Sequence, residues 1–197
     1  MSLSAAELAQ AQASNILLPV GASTAVNGVQ YQTFDRRFVT GAAFQPTSGT
    51  LTMTGIWLPA GTVVTGITFV SGATGETGGT NLWYALYRGD TRALLAQSTN
   101  DTGATSFGTN TALRKALTAP QTCPYTGLYY LGYCSTNSAG TQPALAVYTV
   151  GSTNAIGAIT GMTPILAGTA DTGLTTTAPA TAGALTTIAT VLYAFVD

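Results

Sequence analysis

Two Asp-Thr-Gly triplets, Asp101-Thr102-Gly103 and Asp171-Thr172-Gly173, are the residues of this chain whose types most directly suggest catalysis. Aspartic proteases set two such carboxylates side by side, where sharing one proton makes one an acid and the other a base. In those enzymes the triplet follows an apolar strand. Here Asp101 follows Gln97-Ser98-Thr99-Asn100 and Asp171 follows Gly168-Thr169-Ala170, both loop-like, and Asp-Thr-Gly is ordinary turn chemistry. The context favours turns over a dyad. Arg88-Gly89-Asp90 matches the integrin-binding tripeptide, yet between two strand-like runs such a glycine makes a hairpin turn.

Nucleophilic and metal chemistry lack their usual partners. The chain contains no histidine, which removes Ser-His and Cys-His pairs and His-rich metal sites. Cys123 and Cys134 are the only cysteines. The run Gly127 to Tyr133 between them, if one strand, already spans about 23 Å, far beyond a disulfide's Cα reach of about 7 Å. Two free thiols are expected, with Cys134 on the strand face of Leu128 and Tyr130 and therefore in the core. Gly72, Gly75, Gly78 and Gly79 resemble a phosphate-cradling loop only loosely, since no lysine and no helix follow. The seven acids are scattered, so neither a metal nor a cofactor is expected.

Charge sets further bounds. Only 7% of the 197 residues are charged, against about a quarter in an ordinary domain, and the net charge is −1. So few cations cannot build a face for phosphates, which argues against a nucleic-acid partner. The polar surface falls to Thr, Ser, Asn, Gln and Gly; threonine alone is about a fifth of the chain and suits exposed strand positions. Such a weakly charged surface favours life inside a larger assembly. No signal-peptide pattern opens the chain, and the longest apolar run, 188–196, is too short for a bilayer span, so no membrane insertion is expected.

The elements that must position these residues divide the chain in two. Residues 1–47 read as a short helix and an extended arm. Ser4-Ala5-Ala6-Glu7 fits a capping box, Leu8 to Ala13 are good helix formers, and Asn15 is a stop. A helix this short needs something to pack on, either its own domain or a neighbouring subunit. Residues 48–197 read as a β domain. Strands are expected at 50–57, 62–70, 81–87, 92–97, 111–117, 127–135, 144–150 and 186–196. In the first, Leu51, Met53 and Trp57 share one face and threonines hold most of the other. Residues 151–183, mostly Ala, Thr and Gly, yield no elements. The pattern describes an all-β fold, an antiparallel β-sandwich of jelly-roll-like type.

Aromatics are the remaining resource: fifteen Tyr and Phe, plus Trp57 and Trp83. Trp83, Tyr84 and Tyr87, like Tyr129, Tyr130 and Tyr133, fall on both faces of their strands. Both faces then need covering, by a second sheet or a neighbouring subunit. Trp83, Tyr87, Tyr129 and Tyr133 become candidate subunit-interface residues, in preference to a sugar-stacking face.

Three stretches carry a family resemblance. They are Thr47 to Val64 with Ile67-Thr68-Phe69; Trp83 to Tyr87 with Leu94 to Ser98; and Ala116 to Pro120 with Tyr125 to Gly132. Across residues 47–133 they resemble small all-β virion proteins of tailed bacteriophages, notably those infecting actinobacteria. Such proteins serve as capsid decoration, head-fibre or minor tail proteins, and the resemblance brings no active-site residues with it. It implies a non-enzymatic structural protein on the virion surface, assembled in the bacterial host cytoplasm. The leading expectation is a capsid decoration protein, a homo-oligomer and in particular a trimer. It would dock on the major capsid protein through its N-terminal arm, with Leu8, Arg36 and Arg37 as candidate contacts. The alternative is a minor tail or tail-fibre protein that binds host surface glycans.

Overall fold

The computed structural model describes residues 22–25, 28–102, 107–149 and 164–197. In chain order the strands are β1 (Ala22–Ala25), β2 (Gly28–Gln32), β3 (Thr40–Phe44), β4 (Thr52–Leu58), β5 (Val63–Val70), β6 (Gly79–Arg88), β7 (Leu94–Gln97) and β8 (Asp101–Thr102). They continue with β9 (Ala112–Thr122), β10 (Gly127–Asn137), β11 (Leu145–Thr149), β12 (Ala167–Thr169), β13 (Thr186–Thr187), β14 (Thr190–Leu192) and β15 (Ala194–Val196). The only helical element among the described residues is one 3-10 turn, Arg36–Phe38. All pairings are antiparallel, and the all-β, sandwich-like class read from the sequence is the class observed.

A seven-stranded sheet runs β13-β12-β4-β10-β6-β7, with β8 also paired to β6. Facing it are a five-stranded sheet, β1-β2-β15-β5-β9, and a three-stranded one, β14-β11-β3. Register decides which side chains meet between the layers. Tyr129 opposes Ile56, Leu131 opposes Thr54, and Tyr133 opposes both Thr52 and Tyr84. These residues, with Leu82 and Leu86, pack against Ile67, Phe69, Leu145, Val147, Leu192 and Val196 from the facing sheets. Phe69, Tyr84 and Tyr133 meet edge-on or tilted at centroid distances of 4.9–5.7 Å, the geometry that ring quadrupoles favour.

The threonines of β4 are not surface residues. Thr52 and Thr54 point into this core and are fully buried. Thr54 donates to the Leu192 carbonyl. Threonine satisfies a buried strand position in shape, so alternation with apolar neighbours marked the two faces correctly and their exposure wrongly.

The opposite face of the same sheet is equally apolar. Leu51, Met53, Trp83, Ala85, Tyr87, Tyr130 and Cys134 lie on it, all buried. No third sheet covers them among the described residues. A strap formed by residues 164–166 and 170–185, on either side of β12, does, laying Leu174, Ala178, Ala182 and Leu185 over the aromatics. Three side chains fasten it: Trp83 Nε1 donates to Thr175 O (2.8 Å), Tyr87 Oη to Pro179 O (3.3 Å) and Tyr130 Oη to Ile165 O (2.6 Å). Backbone bonds add Leu51 N to Asp171 O and Leu94 N to Ala180 O. The Ala-, Thr- and Gly-rich composition that hid this segment lets it lie flat.

Three expectations need correction. Residues 28–44 are not an arm outside the domain: β2 pairs with β15 and β3 with β11, and Thr33 Oγ1 donates to Leu192 O at 2.8 Å. The edges of β15 and β11 need ladder partners, and these residues supply them. The single strand expected at 186–196 is three short ones, and β13, β14 and β15 each enter a different sheet. Trp83, Tyr87, Tyr129 and Tyr133, the candidate interface aromatics, present no side-chain surface outside their own chain. Each is fully buried by its own chain, the first two under the strap and the last two between the sheets. The helix expected around Leu8 lies outside the described residues.

If the strap depends on its side-chain donors, Trp83→Phe should keep the fold and lower its stability by about 1 kcal/mol, from one lost N–H···O bond. Urea denaturation should show a lower midpoint with an unchanged m-value.

Candidate functional site

The two Asp-Thr-Gly carboxylates are held apart. Asp101 lies on β8 outside β6, whereas Asp171 follows β12 beyond β4. Four strand spacings separate β8 from β12, about 19 Å, where a proton-sharing dyad needs contact. Each carboxylate is engaged locally instead. Asp101 pairs with Lys115, and Asp171 accepts from Gly183 N at 2.9 Å. Asp101-Thr102 forms the short strand β8, and Asp171 lies in the connection after β12.

Arg88-Gly89-Asp90 is a closed hairpin corner. The Arg88 guanidinium makes a bidentate pair with Asp90 (2.9 and 2.6 Å), holding that carboxyl far below the usual range. It also stacks over the Tyr125 ring, 5.1 Å from its centroid. Tyr125 Oη accepts from Gly89 N at 2.9 Å and donates to Leu128 O, and its ring stacks on Tyr129 at 4.8 Å. A Cβ on residue 89 would stand 2.1 Å from the Leu128 carbonyl oxygen, which explains the glycine. Arg92 closes the turn with φ at 57°, a conformation that side chains rarely adopt.

Both cysteines are free, as expected, and both are buried, although the sequence places only Cys134 in the core. Burial pushes the Cys134 thiol up to about 12, and that of Cys123 upward too, so neither offers a thiolate at neutral pH.

Glu76 is the one acid in the interior among the described residues, 3% exposed. Its Oε1 has no hydrogen-bond partner and its Oε2 accepts only a long bond from Phe107 N (3.5 Å). Burial raises its carboxyl from 4.5 to about 7, and its charge bears on the Tyr84 and Tyr133 phenols. A loop carboxylate reads from sequence as solvated, and only the closure of residues 71–78 over 107–111 buries it.

What remains for partners is a small surface. Phe38 is 58% exposed and Tyr148 38%. With Phe34 and Tyr193 they form a chain of rings spaced 5.3–6.3 Å apart on the outer side of β11 and the 3-10 turn. Asp35 caps that turn, accepting from Arg37 N at 2.9 Å and from the Arg37 guanidinium at 2.6–3.1 Å, which draws its carboxyl down to about 2. Arg36 has no ion-pair partner among the described residues. The structure thus brings the candidate contacts Arg36 and Arg37 beside an aromatic patch that the sequence did not single out. The signal was present: Phe34 and Phe38 flank the two arginines. Trp57 (51% exposed) and Leu166 are further exposed apolar side chains.

No protein-family model, curated protein or solved structure matches this chain.

Adding a methyl at Gly89 (Gly89→Ala) should cost about 1–3 kcal/mol by overpacking against Leu128, read as a lowered thermal midpoint. Glu76 binds its proton more tightly folded than unfolded, so its contribution is complete below about pH 4.5 and lost as pH rises through about 7. Glu76→Gln should therefore match the wild type near pH 4.5 and exceed it at pH 8, by up to about 3 kcal/mol. Unfolding curves across that range give the difference.

Proposed function

We propose that this chain is a non-enzymatic structural protein of a tailed-bacteriophage virion, and within that class a capsid decoration protein. Its sheets are taken as a jelly-roll-like sandwich, displayed on the virion surface as a trimer. The observation that carries this reading is the exposed ring chain of Phe34, Phe38 and Tyr148 beside Arg36 and Arg37. Aromatic and arginine side chains are the residues enriched at protein-protein contacts, and a few of them supply most binding energy. The resemblance across residues 47–133 and the scarcity of charge support the same reading. The docking element is then this folded surface, joined by the segment around Leu8, and not a detachable arm. The partner is the major capsid protein.

Quantitative mass spectrometry of purified virions tests the place. Hundreds of copies in a simple ratio to the major capsid protein support decoration, whereas a handful moves the protein to the tail. On the shell, Phe38→Ala should weaken capsid binding by about tenfold or more while leaving the melting curve of the free protein nearly unchanged. Unchanged binding would remove the patch from the interface.

A second reading, a tail component that binds host glycans, is favoured by the Trp57 indole, half exposed on a sheet face where sugar rings stack. A glycan array checks it: specific binding lost in Trp57→Ala would promote this reading over decoration.

A further inference from the structure

The chain has a single lysine, and it is buried. Lys115 is 8% exposed, although lysine is among the residues least often found inside proteins. Register puts it there. Lys115 opposes Ile67 across the β5–β9 ladder, and Ile67 is a core residue. Directly opposed residues share a face, so Lys115 points inward from the five-stranded sheet. Asp101 opposes Leu82 across β6–β8 and, by the same rule, points inward from the seven-stranded sheet. The two side chains meet across the sandwich, Nζ to Oδ2 at 2.6 Å.

As an ion pair this arrangement is poorly provided for. Among the described residues the Lys115 ammonium, 8% exposed, has one partner for three N–H donors, and a buried charge is costly unless hydrogen bonds satisfy it; the Asp101 side chain keeps 30% of its surface in solvent. A neutral linkage removes that cost. The geometry points to an intramolecular isopeptide bond between Lys115 Nζ and Asp101 Cγ, stapling the two sheets of the sandwich.

The chemistry closes without a further reactant. Transfer of one proton from Lys115 Nζ to Asp101 Oδ2 across the 2.6 Å contact leaves an amine and a carboxylic acid. The nitrogen lone pair adds to Cγ, and the C–O bond breaks as the oxygen leaves with two hydrogens as water. One ammonium and one carboxylate become one secondary amide and one water, with nothing oxidised or reduced. Near neighbours suit the step. Tyr84, the next inward position beyond Leu82, has a buried hydroxyl without a partner, an unused donor on the same face of the sheet. A cleft of about 310 Å³, lined by Thr99, Asp101, Leu113, Arg114, Lys115 and Ala116, gives the released water a way out.

Intact-mass measurement on the folded full chain tests this. The protein should be lighter than its sequence by one water, and digestion should yield a branched peptide joining residue 101 to residue 115. Because Lys115 is the only lysine, the denatured chain should also take no acyl label on a side-chain amine. Lys115→Arg and Asp101→Ala should each regain the full sequence mass. A folded wild-type chain at full mass, with a side-chain amine that labels, overturns the proposal. So does a water loss that persists in Lys115→Arg, which would mark a local imide at Asp101. The wild-type reading needs no variant to fold.

Discussion

Everything in this structure follows from a central sheet with two apolar faces. Along β4, β10 and β6 the residues on one side of the pleat are Ile56, Leu131 and Tyr84, and on the other Met53, Tyr130 and Trp83. Such a sheet must be covered twice. The five- and three-stranded sheets do it on one side. On the other the cover is a strap almost without secondary structure, which succeeds because its carbonyls accept the Trp83, Tyr87 and Tyr130 donors. A regular strand there would commit those carbonyls to a ladder and leave buried N–H and O–H groups unmatched.

This double cover explains how little is left outside. Most of the large aromatics are consumed within one chain, so contact with partners falls to the rings around Phe38 and Tyr148 and to Trp57. Charge is used in the same local way. Asp35 holds Arg37, Asp90 holds Arg88, and Asp197 holds Arg114 on β9 beside β5 and β15. These pairs pin corners and strand ends and, being exposed, contribute modestly to stability. Lys115 with Asp101 is the exception, the lysine buried between the sheets and the aspartate partly exposed at their edge.

Strand positions β4 to β7 and β9 to β11 were legible because most are runs of five or more residues with their own pleat pattern, bounded by Gly, Pro or Asn, whereas the two-residue β8 reads as loop. Val29 and Tyr31 also alternate with polar neighbours, but β2 is too short to announce itself without β15 beside it. The strap carried no periodic signal at all, since its role is to offer backbone to another element's side chains. Arg36 and Arg37 were legible as paired cations. The aromatic surface beside them joins Phe34 and Phe38 to Tyr148 and Tyr193, more than a hundred residues further along the sequence.

By itself the sequence determined that no histidine chemistry is open to this protein, that its thiols are free, that Asp171 and Arg88-Gly89-Asp90 belong to turns and connections, and that the fold is all-β; Asp101, expected in a loop, begins the short strand β8. Composition and period-two alternation act locally, so they can be read locally. Only the tertiary structure decided which face of β4 is the core, where Glu76 and Lys115 are buried, and that the aromatics close on their own chain. Burial is a property of what packs on top, and here the covering element lies about ninety residues further along the chain, as the Trp83–Thr175 bond records.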